Sequence, residues 1–268
     1  MKIYSWNVFS LNSDFERVFD FIAGADWDVF CLQEVPEEFL ERLKMLPAHV
    51  TYAVDEILFL KKGKTQTNYA VVLSRSPIIS SGAVPFPSFR LAPRTRHAVK
   101  LIYGVSDVEK HGAVYADIAA EGSRVRVFSL HLALAGGPSR RKIELEVVRE
   151  LAEEAESSIL AGDFNIVEHP LTKSFNWFVG SPMSESHPWH DERSAVENFF
   201  ASLGFKNPLR GRVTHAWSRS QLDHILVPKG ATVLKAEVIK KTYGSDHHPI
   251  FVEVALSSPV PALPSSFP

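Results

Sequence analysis

The chain has 268 residues, 45% of them hydrophobic and 22% charged. That is the composition of an ordinary folded protein whose core needs no disulfide or metal staple. Lys and Arg total 29 against 31 Asp and Glu, a formal net charge of −2, which excludes the basic excess of a non-specific nucleic-acid coat.

From the N-terminus, MKIYSWNV lacks the apolar stretch of a signal peptide. No run approaches membrane-spanning length, so a cytoplasmic, monomeric protein with no membrane span is expected. Strands are predicted at 2–8 and 28–32, with helices at 13–24 and 36–46. The single cysteine, Cys31, lies in the apolar run Val29-Phe30-Cys31-Leu32. It permits no intrachain disulfide and no cysteine zinc site, and reads as a buried inert thiol.

Further strands are predicted at 69–74, 97–103, 112–119, 124–131, 158–162, 222–227 and 249–255, each rich in Val, Ile, Leu, Phe or Tyr and bounded by turn residues. A helix over 139–155 carries Ile143, Val147, Val148 and Leu151 on one stripe. Ser139 is its candidate N-cap, and its Glu and Arg residues read as a solvated face. A last helix is expected at 191–204. Residues 168–190 hold Pro170, Pro182, Pro188 and several aromatics, and read as a long loop, of a kind that is functional or mobile. The tail 257–268, SSPVPALPSSFP, has no periodicity and reads as disordered. Residues 1–256 are expected to form one domain.

Polar residues sit at the strand ends. Asn7 ends the first strand and Glu34 follows the second. His131 ends 124–131, and Asp163 and Asn165 follow 158–162. Asp223 opens 222–227, and Asp246-His247-His248 precedes 249–255. In α/β proteins, strand ends are where sites assemble. Carboxylates and amides there are hard oxygen ligands, suited to Mg²⁺, Mn²⁺ or Ca²⁺. Singly, each has a plainer reading: Asn7 a turn residue, Glu34 a charge at a helix start, Asp163 an Asx turn, His131 a structural histidine. Their recurrence along the whole chain favours a shared cleft.

The segments SWNV (5–8), LQEV (32–35), YAVVLSR (69–75), SLHL (129–132), GDFN (162–165), LDHILV (222–227) and GSDHHPI (244–250) resemble, in order, the motifs of the endonuclease/exonuclease/phosphatase superfamily. The resemblance implies a four-layered α/β sandwich, with two mixed β-sheets packed face to face and helices outside. It also implies a Mg²⁺-dependent phosphoesterase in which Mn²⁺ substitutes. Glu34 would ligate the metal, with Asn7 and Asp246 completing or supporting its shell. Asp163 would orient or deprotonate the attacking water, and Asn165 would hold that water or a phosphate oxygen. His247, polarised by Asp223, and His131 would act on the phosphate. The doublet leaves His248 as a rival to His247. Gln221 stands where many relatives carry arginine, which suggests a missing salt bridge.

For substrate binding, Arg96 is the candidate, with Arg94 competing, together with Asn68, Tyr69 and Trp217. Basic residues at Lys61-Lys62-Gly63-Lys64, Arg90-Arg94-Arg96 and Arg210-Arg212-Arg219 would track phosphates if they share a face. Phe175, Trp177, Phe178 and Trp189 would stack on bases, face lipid, or pack on the core. The expected function is hydrolysis of phosphodiester bonds in nucleic acid, as a DNA nuclease. The alternative is a phosphatase or phospholipase acting on inositol phosphates or sphingomyelin-type lipids. A non-catalytic binding module is disfavoured because every acid and imidazole of the motifs is present.

Overall fold

A computed structural model describes residues 1–60, 63–88, 93–120, 123–168, 177, 181–186 and 191–256, apart from the side chains of 94, 98, 99, 102 and 103. In chain order the elements are β1 (Lys2–Asn7), α1 (Phe15–Gly24), β2 (Val29–Pro36), α2 (Glu37–Leu43), β3 (His49–Phe59), β4 (Thr65–Ser74) and β5 (Ile78–Pro85). They continue as α3 (Pro93–Tyr103), β6 (Asp107–Lys110), β7 (Gly112–Ala120), β8 (Ser123–His131), α4 (Gly137–Glu153) and β9 (Ser158–Asp163). The last are α5 (Glu192–Ser202), β10 (Phe205–Lys206), β11 (Asp223–Pro228), β12 (Thr232–Val238) and β13 (Ile250–Ala255).

The strands form two mixed sheets, ordered β12-β13-β1-β2-β4-β3-β6 and β10-β11-β9-β8-β7-β5. The pairs β1/β2 and β8/β9 are parallel, and the remaining neighbours are antiparallel. Strand alternation sorts the side chains. Ile3, Val29, Cys31 and Val72 of the first sheet meet Val127, Ile159, Ala161 and Ile225 of the second in the central core. Trp6, Phe30 and Leu32 point the other way and pack under α1 and α2, with Val18, Ile22, Phe39 and Leu40. Phe128, Leu130 and Leu160 pack outward with Leu145 and Val148 of α4 and Phe200 of α5. The result is the expected four-layered sandwich. Among the described residues, no helix is long and apolar enough to cross a membrane.

Several expectations are corrected. Residues 97–103 lie in helix α3, not in a strand. A short apolar run does not separate the two, and Pro93 at the first helical position starts a helix well. On α4 the N-cap is Gly136, with Pro138 in the first turn, and Ser139 lies inside the helix. Ser139 instead donates its backbone N–H to Glu185 at 3.2 Å. Nor is α4's charged face fully solvated: Arg140, Arg141 and Glu144 are buried while Ile143 is exposed. Arg141 makes a two-pronged pair with Glu192 at 2.6 and 2.7 Å. Glu144 joins Arg140 and accepts the Ala133 N–H, both at 2.8 Å. The tail 257–268, most of loop 168–190 and the basic residues Lys61, Lys62 and Arg90 lie outside the described residues. Cys31 is buried as expected, and burial pushes its thiol far up, which makes it inert.

On β7, Asp117 is fully buried and bonded to Arg126 at 2.8 and 3.0 Å, and to Arg124 and Ser80. Burial works against its charge, but these partners hold its carboxyl well below the usual range. Asp117→Asn leaves Arg126 without its anion and is expected to cost about 3–5 kcal/mol, measured by urea unfolding near neutral pH. A depressed folded pKa stabilises above the unfolded value, about 3.9, and the benefit fades as pH falls through the folded value. The Asn variant should lose that part of the acid limb.

Candidate active site

One sheet register aligns much of the site. His131 at the end of β8 is the Cα partner of Asp163 at the end of β9, and Asp163 is the partner of Asp223 at the start of β11. The approach is close enough that a Cβ on Gly162 would meet the Leu130 carbonyl oxygen at 1.9 Å, and φ there is +144°. Glycine is therefore required. In the other sheet Asn7 pairs with Gln33, and β2 breaks register between Leu32 and Val35. Within that break Glu34 adopts φ 55°, a backbone region bulky residues seldom occupy outside special sites. Gln33 bonds Ser129 across the two sheets at 2.9 Å, directly beneath the cleft.

Asn7 joins the two sheet ends. Its Nδ2 donates to Glu34 Oε1 at 2.9 Å and to Asp163 Oδ2 at 3.1 Å, while its Oδ1 accepts the Phe9 N–H at 3.0 Å. The amide therefore orients two carboxylates with its nitrogen side. Glu34 Oε2 accepts the Ser10 N–H at 3.1 Å. Asp163 Oδ1 accepts the Asn165 N–H at 2.8 Å, and Asn165 donates its side-chain amide to Leu132 O at 2.8 Å.

Two imidazoles flank Asp163 Oδ2, with His131 Nε2 at 3.8 Å and His247 Nε2 at 3.7 Å. Each is held from behind through Nδ1. His247 Nδ1 lies 2.9 Å from Asp223 Oδ2, and His131 Nδ1 lies 2.7 Å from Asp55 Oδ2. A carboxylate behind an imidazole selects the tautomer that presents Nε2 forward. Burial disfavours both charged rings. For His131, against burial and the nearby Lys110, the Asp55 carboxylate together with Glu56 lifts the pKa to about 9. For His247, Asp223 and Asp163 lift it well above an ordinary imidazole.

Of the histidine doublet, His247 faces the cleft, whereas His248 donates its backbone N–H to Thr214 O at 2.8 Å and does not line it. Asp246 lines the cleft between His215 Nε2 at 3.5 Å and His247 Nε2 at 3.9 Å. Gln221 is held by hydrogen bonds. Its Oε1 accepts the Gly211 N–H at 3.0 Å, its Nε2 donates to Asp223 O at 3.3 Å, and Arg193 reaches it from α5 at 3.4 Å.

The substrate-binding candidates separate. Trp217 lines the cleft, two-thirds exposed and edge-on to His215. Asn68 is buried one contact behind it, donating to Glu56 at 3.1 Å. Tyr69 packs edge-on against Tyr52 in the apolar cluster under α2. Arg96 is half-exposed on α3, paired with Asp107 at 3.0 Å, outside the cleft lining. Arg210 pairs with Glu197 at 2.8 Å, again outside the cleft. Among the described residues the one lysine or arginine lining the cleft is Lys110.

Four contributors escaped the sequence reading: Asp55, Glu56, Lys110 and His215. Asp55 and Glu56 lie at a register shift in β3, and Lys110 on β6 pairs with both. Burial, with Glu34 and Asp55 nearby, pushes the Glu56 carboxyl up to about 7 against the pull of Lys110. Paired acids inside an otherwise apolar strand, AVDEILF (53–59), are the signal that could have revealed them, because burying charge without purpose is costly. His215 left only its position before Trp217 as a hint.

The cleft has a volume of about 430 Å³. Its floor is acidic and its walls are apolar, formed by Phe9, Leu11, Leu58, Val105, Val108 and Leu134 among others. Around it the carboxylates of Glu34, Asp55, Glu56, Asp163, Asp223 and Asp246 outnumber the cationic and imidazole groups Lys110, His131, His215 and His247. Such an excess of hard oxygen donors fits a divalent cation. Among the described residues, two triads have ligand atoms within 4.8 Å of one another: His215, Asp246 and His247; and Asp163, Asp223 and His247.

The sequence profile of the Endonuclease/Exonuclease/phosphatase family matches residues 4–247. Comparison with curated protein sequences finds no match. Among solved structures, the chain is similar to an endonuclease/exonuclease/phosphatase from Beutenbergia cavernae (TM-score 0.68, 18% identity, 96% of this chain and 71% of that one). It is similar to the 3' phosphatase NExo from Neisseria bound to a product DNA hairpin (0.61, 20%, 96% and 100%). It is also similar to D. rerio TDP2 complexed with a single-strand DNA product (0.62, 17%, 96% and 99%).

Removing the carboxylate behind His131 tests the pair directly. In metal-free Asp55→Asn protein, the His131 ring should titrate well below about 9 and move toward the free value of about 6.5. Histidine NMR reads this, and an unchanged titration would contradict the role of Asp55.

Proposed function

This chain belongs to the endonuclease/exonuclease/phosphatase family, and we propose that it is a divalent-metal-dependent phosphodiesterase acting on DNA. One observation carries the chemistry: two carboxylate-backed imidazoles present Nε2 toward the same oxygen of Asp163, beside Glu34. That arrangement has donors for phosphoryl oxygens, an acceptor for a proton, and acids to hold a cation.

In this reading Glu34 holds Mg²⁺ or Mn²⁺, with Asp246 completing its surroundings and Asn7 supporting them. The cation, when bound, neutralises phosphate oxygens and stabilises charge in the transition state. Asp163 accepts the proton of the attacking water through Oδ2, the oxygen that Asn7 anchors. Its Oδ1 stays engaged by the Asn165 N–H, so the carboxylate cannot rotate freely. His247, held by Asp223, donates Nε2–H to a non-bridging oxygen. His131, held by Asp55, donates to another or protonates the leaving oxygen. Asn165 orients the water or a phosphate oxygen.

DNA as substrate is supported by the family and by two solved relatives of the same fold that carry DNA products. The aromatic residues Phe9 and Trp217 at the cleft suit stacking against a base or sugar. The aliphatic wall of Leu11, Leu58, Val105, Val108 and Leu134 favours a second reading, an ester carrying an apolar group such as a sphingomyelin-type lipid.

Chelation by EDTA should abolish hydrolysis and Mg²⁺ or Mn²⁺ should restore it. Glu34→Ala and Asp163→Ala should each lower kcat by at least about 10²-fold. Full activity in chelator would overturn the metal assignment. Across supercoiled plasmid, abasic duplex, RNA, a sphingomyelin analogue and inositol phosphates, the account expects turnover of DNA. Turnover confined to the lipid or inositol substrates would hand the function to the second reading.

A further inference from the structure

His215 belongs to no motif that first marked the site, yet its ring lines the cleft 4.7 Å from that of His247. Its placement is built in. The backbone of His215 forms isolated bridges with both Ser220 and His247, so the two histidines are locked side by side. His215 is buried, with 8% of the residue's surface exposed.

The state of the ring follows from its partners. Nδ1 accepts the backbone N–H of Ser218 at 3.2 Å and lies 2.8 Å from Ser218 Oγ. A backbone N–H can only donate, so Nδ1 carries no proton. The remaining proton of the neutral ring is then on Nε2, which points at Asp246 Oδ2 from 3.5 Å. That length is at the outer limit of a hydrogen bond, and a small rotation of the carboxylate closes it. An Nε2 that carries a proton is a donor, not a metal ligand.

Asp246 needs such a partner. Its side chain is 45% exposed, and among the described residues its other ion-pair contact is His247 Nε2 at 3.9 Å. A carboxylate so open to water samples several orientations unless a neighbour restrains it. We propose that His215 is a positioning residue whose Nε2–H holds the Asp246 carboxylate ready for the divalent cation, while Ser218 fixes the tautomer that makes this possible. The inference rests on the reading of Asp246 as part of the metal surroundings. It goes beyond that reading by giving the cation affinity a determinant outside the acid set. Ligating carboxylates are commonly oriented by such an outer hydrogen bond.

Two substitutions separate this role from a purely structural one. The side-chain oxygen of Asn stands near the place of Nδ1, so His215→Asn keeps the contact with Ser218 and loses the donor. The amide nitrogen of Gln reaches the place of Nε2, so His215→Gln keeps the donor and loses the Ser218 contact. Mn²⁺ alone is titrated into metal-free protein and followed by electron paramagnetic resonance, alongside a thermal melt. His215→Asn should weaken Mn²⁺ about 10- to 100-fold with a melt near that of the parent, and raising Mn²⁺ should recover most of the turnover. His215→Gln should bind Mn²⁺ nearly as the parent does.

If His215→Asn binds Mn²⁺ like the parent, or if His215→Gln is the weaker binder, the ring serves its own turn and the proposal falls. If the parent itself binds no Mn²⁺ and ignores chelator, the metal reading fails first and takes this proposal with it. Parent binding with an unaffected Asn variant removes only the role of His215.

Discussion

The site depends on how closely β8 and β9 approach. Their parallel pairing leaves no room for a side chain at Gly162, where a Cβ would sit 1.9 Å from the Leu130 carbonyl oxygen. From that contact the register follows, and with it the row His131, Asp163, Asp223 across three adjacent strands. The first sheet must then bring its own strand ends to the same place. The hydrogen bond from Gln33 to Ser129 ties the sheets together just below, and Asn7 spans the remaining gap to Asp163. Chemistry that looks like a cluster of side chains is thus a consequence of strand register.

Strain and charge are concentrated in the same few ångströms. Phe9, Glu34 and Asn165 all have positive φ, a conformation that costs of order 1–3 kcal/mol each for such residues. Acids that would repel one another in a protein core meet here, separated by imidazoles and one lysine. The surrounding sandwich tolerates this because its three large apolar clusters lie between and outside the sheets, away from the strand ends. A bound cation would relieve the repulsion. The protein therefore has an electrostatic reason, apart from catalysis, to favour one.

Much of this was legible in the sequence because strand ends are local features. Asn7, Glu34, Asp163 and Asp246 each follow or precede an apolar run, and a buried run ending in a carboxylate says where the acid must go. What was not legible depends on pairing across distance. Asp55 lies 76 residues from the histidine it supports. It sits on β3, where the acid pair interrupts the apolar run, and it faces His131 beside a register shift. Lys110 lies on a four-residue strand at the edge of the sheet. On α4, periodicity marked a stripe through Ile143, but long-range pairing with Glu192 and the Ala133 loop made Arg141 and Glu144 buried instead. Arg96 carried a motif-like context, and only the fold revealed its commitment to Asp107.

The walls of the cleft remain as characteristic of this chain as its floor. On the proposed reading, an acidic base beneath apolar sides suits a substrate with one phosphate at the bottom and a less polar group above. The central claim is that the two sheet ends form one cation-binding floor centred on Glu34 and its neighbours. A crystal structure with Mn²⁺, the ion located by its anomalous scattering, tests this most directly. The account predicts an ion bound to the Glu34 carboxylate within the cleft. An ion bound elsewhere with Glu34 uninvolved, or no ion at all at millimolar Mn²⁺, would contradict it.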